Sequence, residues 1–261
     1  MTGSATKAEI ETVRSDGIVR ITLDRPHRGN ALTPDLLDAL IGRLDGARDA
    51  RAVVLTGAGR AFSSGGDVGE FHIRADRRDA LLAYADRLVS TLNRVILHIR
   101  AMPCPVIAAV NGPVTGGSFG LVLAADIAVM AESAFIQPYY AQMGFAPDGG
   151  WTALLPERIG RARTARWLAL DERIGARQAL EMGLADVAVP DAALDDTVAR
   201  LLDRMEPLDN SVAATTRQLL DTQIAGPDLA ARLENEKRAF LDRIAREETR
   251  GRMNAFLATA G

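Results

Sequence analysis

The sequence is poor in cysteine and in long apolar runs, and each shortage excludes a class of protein. Its 261 residues include a single cysteine, Cys104. One cysteine allows neither a disulfide framework nor a cysteine-based metal site within the chain. Arg, Pro or Gly interrupts the apolar runs well before the ~18 residues that a membrane span requires. We therefore expect no metal and no membrane partner.

An excess of charge of one sign is also missing. The chain has 34 acidic and 31 basic side chains, which give a net charge of −3. A nearly balanced total offers no reason to expect nucleic acid as a partner. The first residues, MTGSATKAEIETV, lack the apolar core of a secretory signal. These absences predict a soluble, cytoplasmic protein.

Apolar residues are plentiful and follow two different periods. They make up 48% of the chain, enough for a sizeable core. Short apolar segments at 18–23, 52–56 and 106–110 predict strands, and a helical period at 79–99 predicts a long helix. Strands alternate with helices in the first half of the chain, and helices fill the second half. The predicted fold class is therefore α/β with a helical C-terminal part.

The segment 106–130, VIAAVNGPVTGGSFGLVLAADIAVM, is the most informative in the chain. It predicts a buried strand, a loop rich in Gly and Pro, a short helix from Gly117 and a second strand. The first N–H groups of a helix have no intrahelical acceptor, and the helix dipole is positive there. The loop is therefore suited to holding negative charge on an oxygen.

Residues 116–120, GGSFG, also match the G-x-S-x-G motif of α/β-hydrolases. In those enzymes the catalytic histidine follows the serine, but His27, His72 and His98 all precede Ser118. A serine hydrolase is therefore disfavoured. A phosphate-binding loop would need Lys where Ser118 stands, and the glycines at 57–59 lack the third glycine of a dinucleotide fingerprint.

A second glycine-rich loop, GAGRAFSSGGDVGEF, occupies residues 57–71. If Gly66 and Gly117 bring their N–H groups together, the two loops form a two-donor oxyanion hole. Each donor would contribute about 3 kcal/mol toward a developing enolate oxygen. The alternative is that these glycines only permit tight turns.

Five segments in order resemble the crotonase, or enoyl-CoA hydratase/isomerase, superfamily: LDRPHRGNAL, GAGRAFSSGGD, MPCPVIAAVNGPVTGGSFGLVLAADIAV, PDGGWTALLPERIG and ALEMGLADVAVP. The resemblance spans about residues 18–190. It implies a spiral of ββα repeats over residues 1–190 and a helical C-terminal region, 191–261, that packs in trimers, often paired as hexamers. It also implies a coenzyme A thioester as substrate in fatty acid metabolism and no other cofactor.

The resemblance assigns roles to several residues. Gly66 and Gly117 fall on the two positions whose N–H groups hold the acyl-CoA thioester oxygen. Arg25, Arg28 and Ala61 fall where members of the family bind the CoA nucleotide.

Departures from the family pattern bear on the reaction. The two glutamates of the hydratases correspond to Gly120 and Tyr139, neither of which is a carboxylate. Asp148, in PDGG, corresponds to the place where isomerases of the family carry an acid and a related dehalogenase carries its nucleophile. The sequence therefore favours an enoyl-CoA isomerase with Asp148 as base. Without the family, Asp148 fits a turn or the cap of a helix starting near Trp151.

Four aromatic residues are candidates for the wall of the acyl pocket, although core packing is an alternative for each: Phe71, Tyr139, Tyr140 and Trp151. Other reactions of the same enolate stay open, namely hydration, hydrolysis and decarboxylation. A catalytically inactive acyl-CoA-binding protein is the alternative outside enzyme function.

Overall fold

The computed structural model describes residues 9–209, 211–222 and 226–260. The sequence predicts a frayed N-terminus and a helix over residues 211–224; residues 1–8 and Ile224 of these two predictions lie outside this part of the chain. Nine strands occur in the described ranges: β1 Ile10–Ser15, β2 Ile18–Leu23, β3 Ala52–Gly57, β4 Val106–Val110, β5 Val114–Thr115, β6 Ile127–Ala131, β7 Phe135–Gln137, β8 Ile174–Gly175 and β9 Val187–Val189.

Twelve α-helices accompany these strands in the same ranges: α1 Pro34–Asp45, α2 Val68–His72, α3 Arg78–Arg100, α4 Phe119–Ala124, α5 Tyr140–Met143, α6 Leu155–Ile159, α7 Arg161–Leu170, α8 Ala176–Glu181, α9 Leu194–Met205, α10 Ser211–Thr222, α11 Leu229–Ile244 and α12 Glu247–Ala260. Short 3₁₀ turns occur at Pro26–Arg28, Gly116–Ser118 and Asp191–Ala193.

The main sheet has six strands in the order β1-β2-β3-β4-β6-β9. β1 pairs antiparallel with β2, and the other neighbours are parallel. Every residue of β3 and β4 is buried, as expected for parallel strands covered on both faces. A second sheet has the order β5-β7-β8. This mixed α/β architecture with a helical C-terminal region confirms the predicted fold class.

Several predicted elements have the expected bounds because their signals are local. β2 and β4 coincide with the predicted strands at 18–23 and 106–110. Thr33 caps α1 by accepting a hydrogen bond from the Leu36 N–H at 3.2 Å, and Pro34 occupies the first turn. The long helix predicted at 79–99 extends by one residue at each end.

Other predictions need correction. The polar N-terminal segment predicts fraying up to residue 12, but β1 begins at Ile10, which pairs with Leu23 across the sheet edge. The helix expected at Trp151 starts only at Leu155, after a turn. The sequence also predicts one helix over residues 227–256, but the structure has two, α11 and α12, because the chain turns after Ile244.

The helical C-terminal region is tied to the sheet by a buried arginine on α10. The Arg217 guanidinium, 4% exposed, lies 2.7 Å and 2.6 Å from the two carboxylate oxygens of Asp126. It also donates to the carbonyls of Arg100, at 3.1 Å, and Met102. The Asp126 carboxylate accepts the Val106 N–H at 2.7 Å as well, at the start of β4. The division of the chain at residue 190 stays a prediction.

We expect Arg217→Leu to lower the free energy of unfolding by about 3–5 kcal/mol, because it leaves the Asp126 carboxylate and two carbonyls without their partner. Urea denaturation followed by circular dichroism measures this. Arg177→Leu is the matched control, since that side chain is 93% exposed in its pair with Glu181, and we expect no measurable change. Equal stability of the two variants would contradict the structural role of Arg217.

Candidate active site

A cavity of about 650 Å³ lies between the two glycine-rich loops. It brings together most of the residues singled out in the sequence, which come from distant parts of the chain: Arg28, Gly66, Phe71, Gly117, Tyr139, Tyr140 and Asp148. The lining also includes apolar side chains from α3 and α11, Leu88, Leu92 and Phe240. The cavity is thus lined mostly by apolar side chains with a few polar groups among them, as is usual for ligand sites.

The first glycine loop presents the N–H of Gly66 on its free side. Leu32 donates to the Gly65 carbonyl at 2.7 Å, and Asp67 donates to the Leu32 carbonyl at 3.1 Å. This parallel bridge uses the Gly65 carbonyl and the Asp67 N–H, so the Gly66 N–H is not part of it. A Cβ on Gly65 would lie 2.7 Å from the Thr115 carbonyl oxygen, so the first loop is in direct contact with the second.

The second loop makes a 3₁₀ turn, Gly116–Ser118, that leads directly into α4. Gly117 is the second residue of this turn, where backbone N–H groups lack an acceptor within the helix. The Ser118 hydroxyl is fully buried, 2.7 Å from the Thr115 carbonyl and 3.1 Å from the Ser63 carbonyl. Ser118 therefore stabilises the turn, which agrees with the rejection of a serine nucleophile.

Asp148 lies directly against the second loop. A Cβ on Gly117 would be 2.8 Å from Oδ1 of Asp148. A Cβ on Gly149, whose φ is +63°, would be 2.4 Å from the Gly117 carbonyl oxygen. A Cβ on Gly120 would be 2.1 Å from the Gly149 carbonyl oxygen. Three glycines thus allow two backbone segments to touch, and this contact places a carboxylate beside Gly117.

The Asp148 carboxylate is nearly buried, at 7% exposure. Burial raises its pKa from 3.8 to about 7; the nearby Glu236 charge acts in the same direction and the Tyr140 hydrogen bond opposes it. The Tyr140 hydroxyl donates to Oδ1 at 2.5 Å. Burial also raises the pKa of Tyr140 well above 10, so its phenol stays a donor. Residues 149–154 form no helix that Asp148 could cap, and the cap position of α6 is Leu154.

The sequence analysis missed Glu236, which is 4% exposed on α11. Its carboxylate accepts hydrogen bonds from the N–H groups of Gly150 at 2.7 Å, Thr152 at 2.5 Å and Ala153 at 2.9 Å, and from the Thr152 hydroxyl at 2.7 Å. These residues directly follow Asp148.

A signal for Glu236 exists in the sequence. Leu233, Glu236 and Phe240 share one face of α11 and are all buried. A carboxylate within an apolar helical stripe indicates a buried polar partner. The partner itself could not be found from sequence, because it is the backbone of a loop about 80 residues away.

Ionic groups surround Asp67 at the mouth of the cavity. Arg28 donates to Oδ1 of the buried Asp67 carboxylate at 2.9 Å, and Arg25 lies 3.6 Å from Oδ2. Arg28 is half exposed and lines the cavity. Arg25 does not line the cavity and forms an ion pair with Glu9 at 2.9 Å. Ala61 does not line it either, and its carbonyl accepts a hydrogen bond from the side-chain amide of Asn30 at 2.7 Å. Of the three expected CoA-binding residues, Arg28 alone lines this cavity.

The aromatic residues divide between the cavity wall and the core. Phe71, Tyr139 and Tyr140 line the cavity. The fully buried Trp151 does not; it packs on Phe119 and donates from Nε1 to the Gly116 carbonyl at 2.8 Å. The expected place of Trp151 in the pocket wall is therefore wrong, since its ring supports the second glycine loop from behind.

Within the described ranges, no group of three or more His, Cys, Asp or Glu side chains is arranged to hold a metal ion. None of the helices in those ranges has the length and apolar character needed to cross a membrane.

Known proteins of one family are similar to this chain. The family model described as "Enoyl-CoA hydratase/isomerase" matches residues 13–260. A Rhodobacter capsulatus protein named "Probable enoyl-CoA hydratase" is 40% identical over 178 residues, 68% of this chain and 67% of that protein. The "1,2-epoxyphenylacetyl-CoA isomerase" of Escherichia coli is 32% identical over 188 residues, 71% of each chain. The crystal structure of an enoyl-CoA hydratase from Bacillus halodurans superposes with a TM-score of 0.87 at 25% identity, covering 95% of this chain and 99% of that one.

We expect Gly120→Ala to lower the free energy of unfolding by about 1–3 kcal/mol, since the added methyl group would overlap the Gly149 carbonyl. The control is Gly42→Ala, also within a helix but with open space around the position. There we expect a gain of up to about 1 kcal/mol from helix propensity alone. Urea denaturation compares the two, and a gain at both positions would contradict the contact.

We also expect Asp148→Asn to change how stability depends on pH. Because the folded state raises the pKa of Asp148 to about 7, the wild type loses stability as pH rises from about 4 through about 7. The substituted amide does not ionise. The free energy of unfolding of the variant minus that of the wild type should therefore increase over this pH range and then stay constant. Asp191→Asn is the control, because hydrogen bonds from Ser133 lower the pKa of Asp191. A pH-independent difference between wild type and Asp148→Asn would refute the raised pKa.

Proposed function

This chain belongs to the crotonase, or enoyl-CoA hydratase/isomerase, superfamily, and from that premise we propose that it shifts the double bond of an enoyl-CoA thioester. The observation that supports this choice is the buried carboxylate of Asp148, which lies beside Gly117 in a mostly apolar cavity. A base with a pKa of about 7 can both accept and return a proton near neutral pH.

In the proposed reaction the thioester carbonyl oxygen lies between the N–H groups of Gly66 and Gly117. Negative charge develops on that oxygen when a proton leaves the neighbouring carbon. Two fixed N–H donors stabilise this enolate more than the starting thioester carbonyl, by about 3 kcal/mol each. The apolar walls exclude water and so strengthen both interactions.

Asp148 moves the proton. Its carboxylate removes a proton from the carbon next to the thioester carbonyl, and the electron pair delocalises into the enolate. The same carboxyl group then returns the proton two carbons further along the chain, which places the double bond next to the carbonyl. Because the Tyr140 hydroxyl occupies Oδ1, we assign the proton transfer to Oδ2.

The two positions associated with hydratase glutamates support isomerisation over hydration. At Gly120 a side chain of any size would overlap the Gly149 carbonyl. At Tyr139 the backbone is left-handed, with φ +61°, and the N–H donates to Asp171 at 2.6 Å. Hydration is the second candidate because the Rhodobacter relative is named a hydratase, but here Asp148 would have to activate water without a second glutamate.

For the rest of the substrate, we propose that the CoA moiety lies at the cavity mouth near Arg28, with Arg25 and Ala61 behind it. The acyl group would lie against Phe71 and Leu92, which are next to Gly66 and Gly117. A homotrimer or hexamer stays a prediction from the family resemblance, and a cytoplasmic location stays a prediction from the sequence composition.

We expect Asp148→Asn to reduce kcat for a 3-enoyl-CoA by a factor on the order of 10²–10⁴, because an amide cannot accept the proton. The wild-type rate should rise with pH through about 7, where Asp148 ionises, and the variant should lose this limb. Spectrophotometry of the conjugated 2-enoyl-CoA product measures both effects. Asp191→Asn is the control, and unchanged turnover in Asp148→Asn would refute the assignment.

A panel of 2-enoyl-CoA and 3-enoyl-CoA thioesters separates the remaining alternatives. We expect double-bond migration with no 3-hydroxyacyl-CoA, as followed by chromatography and mass spectrometry. Water addition would identify a hydratase, and free CoA or loss of CO₂ would identify a hydrolase or decarboxylase. Binding of acyl-CoA with no product from any thioester would favour an inactive binding protein.

A further inference from the structure

Glu236 is a buried carboxylate close to Asp148 that the proposed reaction does not use. It does not line the cavity, and its side chain binds the backbone of the catalytic loop. We define the catalytic loop as residues 148–153. The four hydrogen bonds that Glu236 accepts all come from this loop.

We propose that Glu236 is a positioning residue, which holds the catalytic loop from α11 so that the Asp148 carboxylate lies against Gly117. Its two oxygens bind different parts of the loop: Oε2 accepts the Gly150 N–H, and Oε1 accepts both Thr152 groups and the Ala153 N–H. The consequence of Glu236 for turnover rests on the function proposed above, whereas its effect on the loop does not.

The geometry explains why the loop needs an external acceptor. Gly149 and Gly150 have φ of +63° and +90°, so the loop does not follow a helical pattern and its N–H groups need acceptors from elsewhere. Buried N–H groups without partners cost about 1–3 kcal/mol each. A single carboxylate satisfies three of them. Burial raises the pKa of Glu236 above 4.5, and the four hydrogen bonds that it accepts act in the opposite direction, in favour of its ionised form.

The position of α11 is itself well determined. On one side, Asn93 of α3 donates to the Leu233 carbonyl at 3.2 Å, and Lys237 lies 3.1 Å from Asp86. On the other side, Arg232 donates to the Ala153 carbonyl at 2.5 Å and pairs with Glu157. α11 therefore connects the wall of the cavity, formed by α3, to the catalytic loop.

The charges around Asp148 also depend on Glu236. Three side chains lie near the Asp148 carboxylate: Tyr140 on α5, Glu236 on α11 and the apolar Leu92 on α3. The ion pairs of Lys237 lead to Asp86 and Glu234, away from the loop. The negative charge of Glu236 therefore disfavours ionisation of Asp148, in the direction that suits a base working near neutral pH.

Glu236→Gln tests the proposal, because Gln keeps the size but loses the charge and places an amide NH₂ against a backbone N–H. We expect kcat to fall by a factor on the order of 10 or more from misplacement of Asp148, with KM nearly unchanged. The acid limb of the pH profile, meaning the rise of kcat with pH as Asp148 ionises, should move to lower pH because the charge of Glu236 is lost. Glu236→Asp keeps the charge but is shorter, so kcat should fall while the limb moves less.

Glu234→Gln is the matched control, since Glu234 lies on the same helix, is 40% exposed and pairs with Lys237. For Glu234→Gln we expect the kcat of the wild type and an acid limb at the same pH as in the wild type. A purely structural role for Glu236 predicts a lower melting temperature and fewer active sites with no shift of the limb, and that result would overturn the proposal.

Two measurements that need no turnover separate this proposal from the proposed reaction. The first is a ¹³C titration of the Asp148 carboxyl, identified by its loss in Asp148→Asn, which should show a lower midpoint in Glu236→Gln than in the wild type. The second is hydrogen exchange of the peptide covering 146–156, which should quicken in Glu236→Gln and Glu236→Asp but not in Glu234→Gln. If Glu236→Gln does not fold, Glu236→Asp decides the positioning by exchange. If the Glu236 variants show the hydrogen exchange of the wild type and the same titration midpoint of Asp148, the positioning role of Glu236 is refuted, whatever reaction the enzyme performs.

Discussion

The site depends on one contact between two stretches of backbone. The Gly149 carbonyl lies against Gly120, and the Gly117 carbonyl lies against Gly149, at distances that leave no room for a Cβ at any of these positions. Interiors are packed too densely for such contacts to yield to a larger side chain without a shift of backbone. The contact joins the first turn of α4 to the catalytic loop, so an N–H donor and a carboxylate acceptor become neighbours. In the proposed reaction, this single packing contact positions both the oxyanion donor and the base.

This contact also changes how Gly120 is understood. A glycine where related enzymes carry a glutamate suggests an open space in the site. In the structure the position is filled by the backbone of the next loop, which brings its own carboxylate, Asp148, to the other side of Gly117. The carboxylate beside Gly117 is therefore carried by a loop and not by α4. A loop requires more support than a helix, and here Trp151 holds the Gly116 carbonyl while Glu236 holds the loop N–H groups.

Local signals explain which parts were predictable. Strand periodicity predicted β2 and β4 to the residue, and the Thr33-Pro34 pair predicted the start of α1. The segment order identified the superfamily, and with it the pairing of Gly66 and Gly117 around one cavity was expected. β1 was missed because its six residues are exposed except for Ile10 and depend on pairing with β2. Trp151 was misplaced because an aromatic side chain gives the same pattern in a core and in a pocket wall.

By itself, the sequence determined the fold class, the two glycine loops and the absence of a carboxylate at Gly120 and Tyr139, because these are properties of residue type and order. Tertiary structure alone decided that Asp148 is buried beside Gly117, that its pKa lies near 7 and that Glu236 stands behind it. The physical reason is that burial and hydrogen bonding are set by neighbours in space. The neighbours of Asp148 come from α3, α5 and α11, elements separated by up to about 150 residues, and no local pattern records which of them will meet.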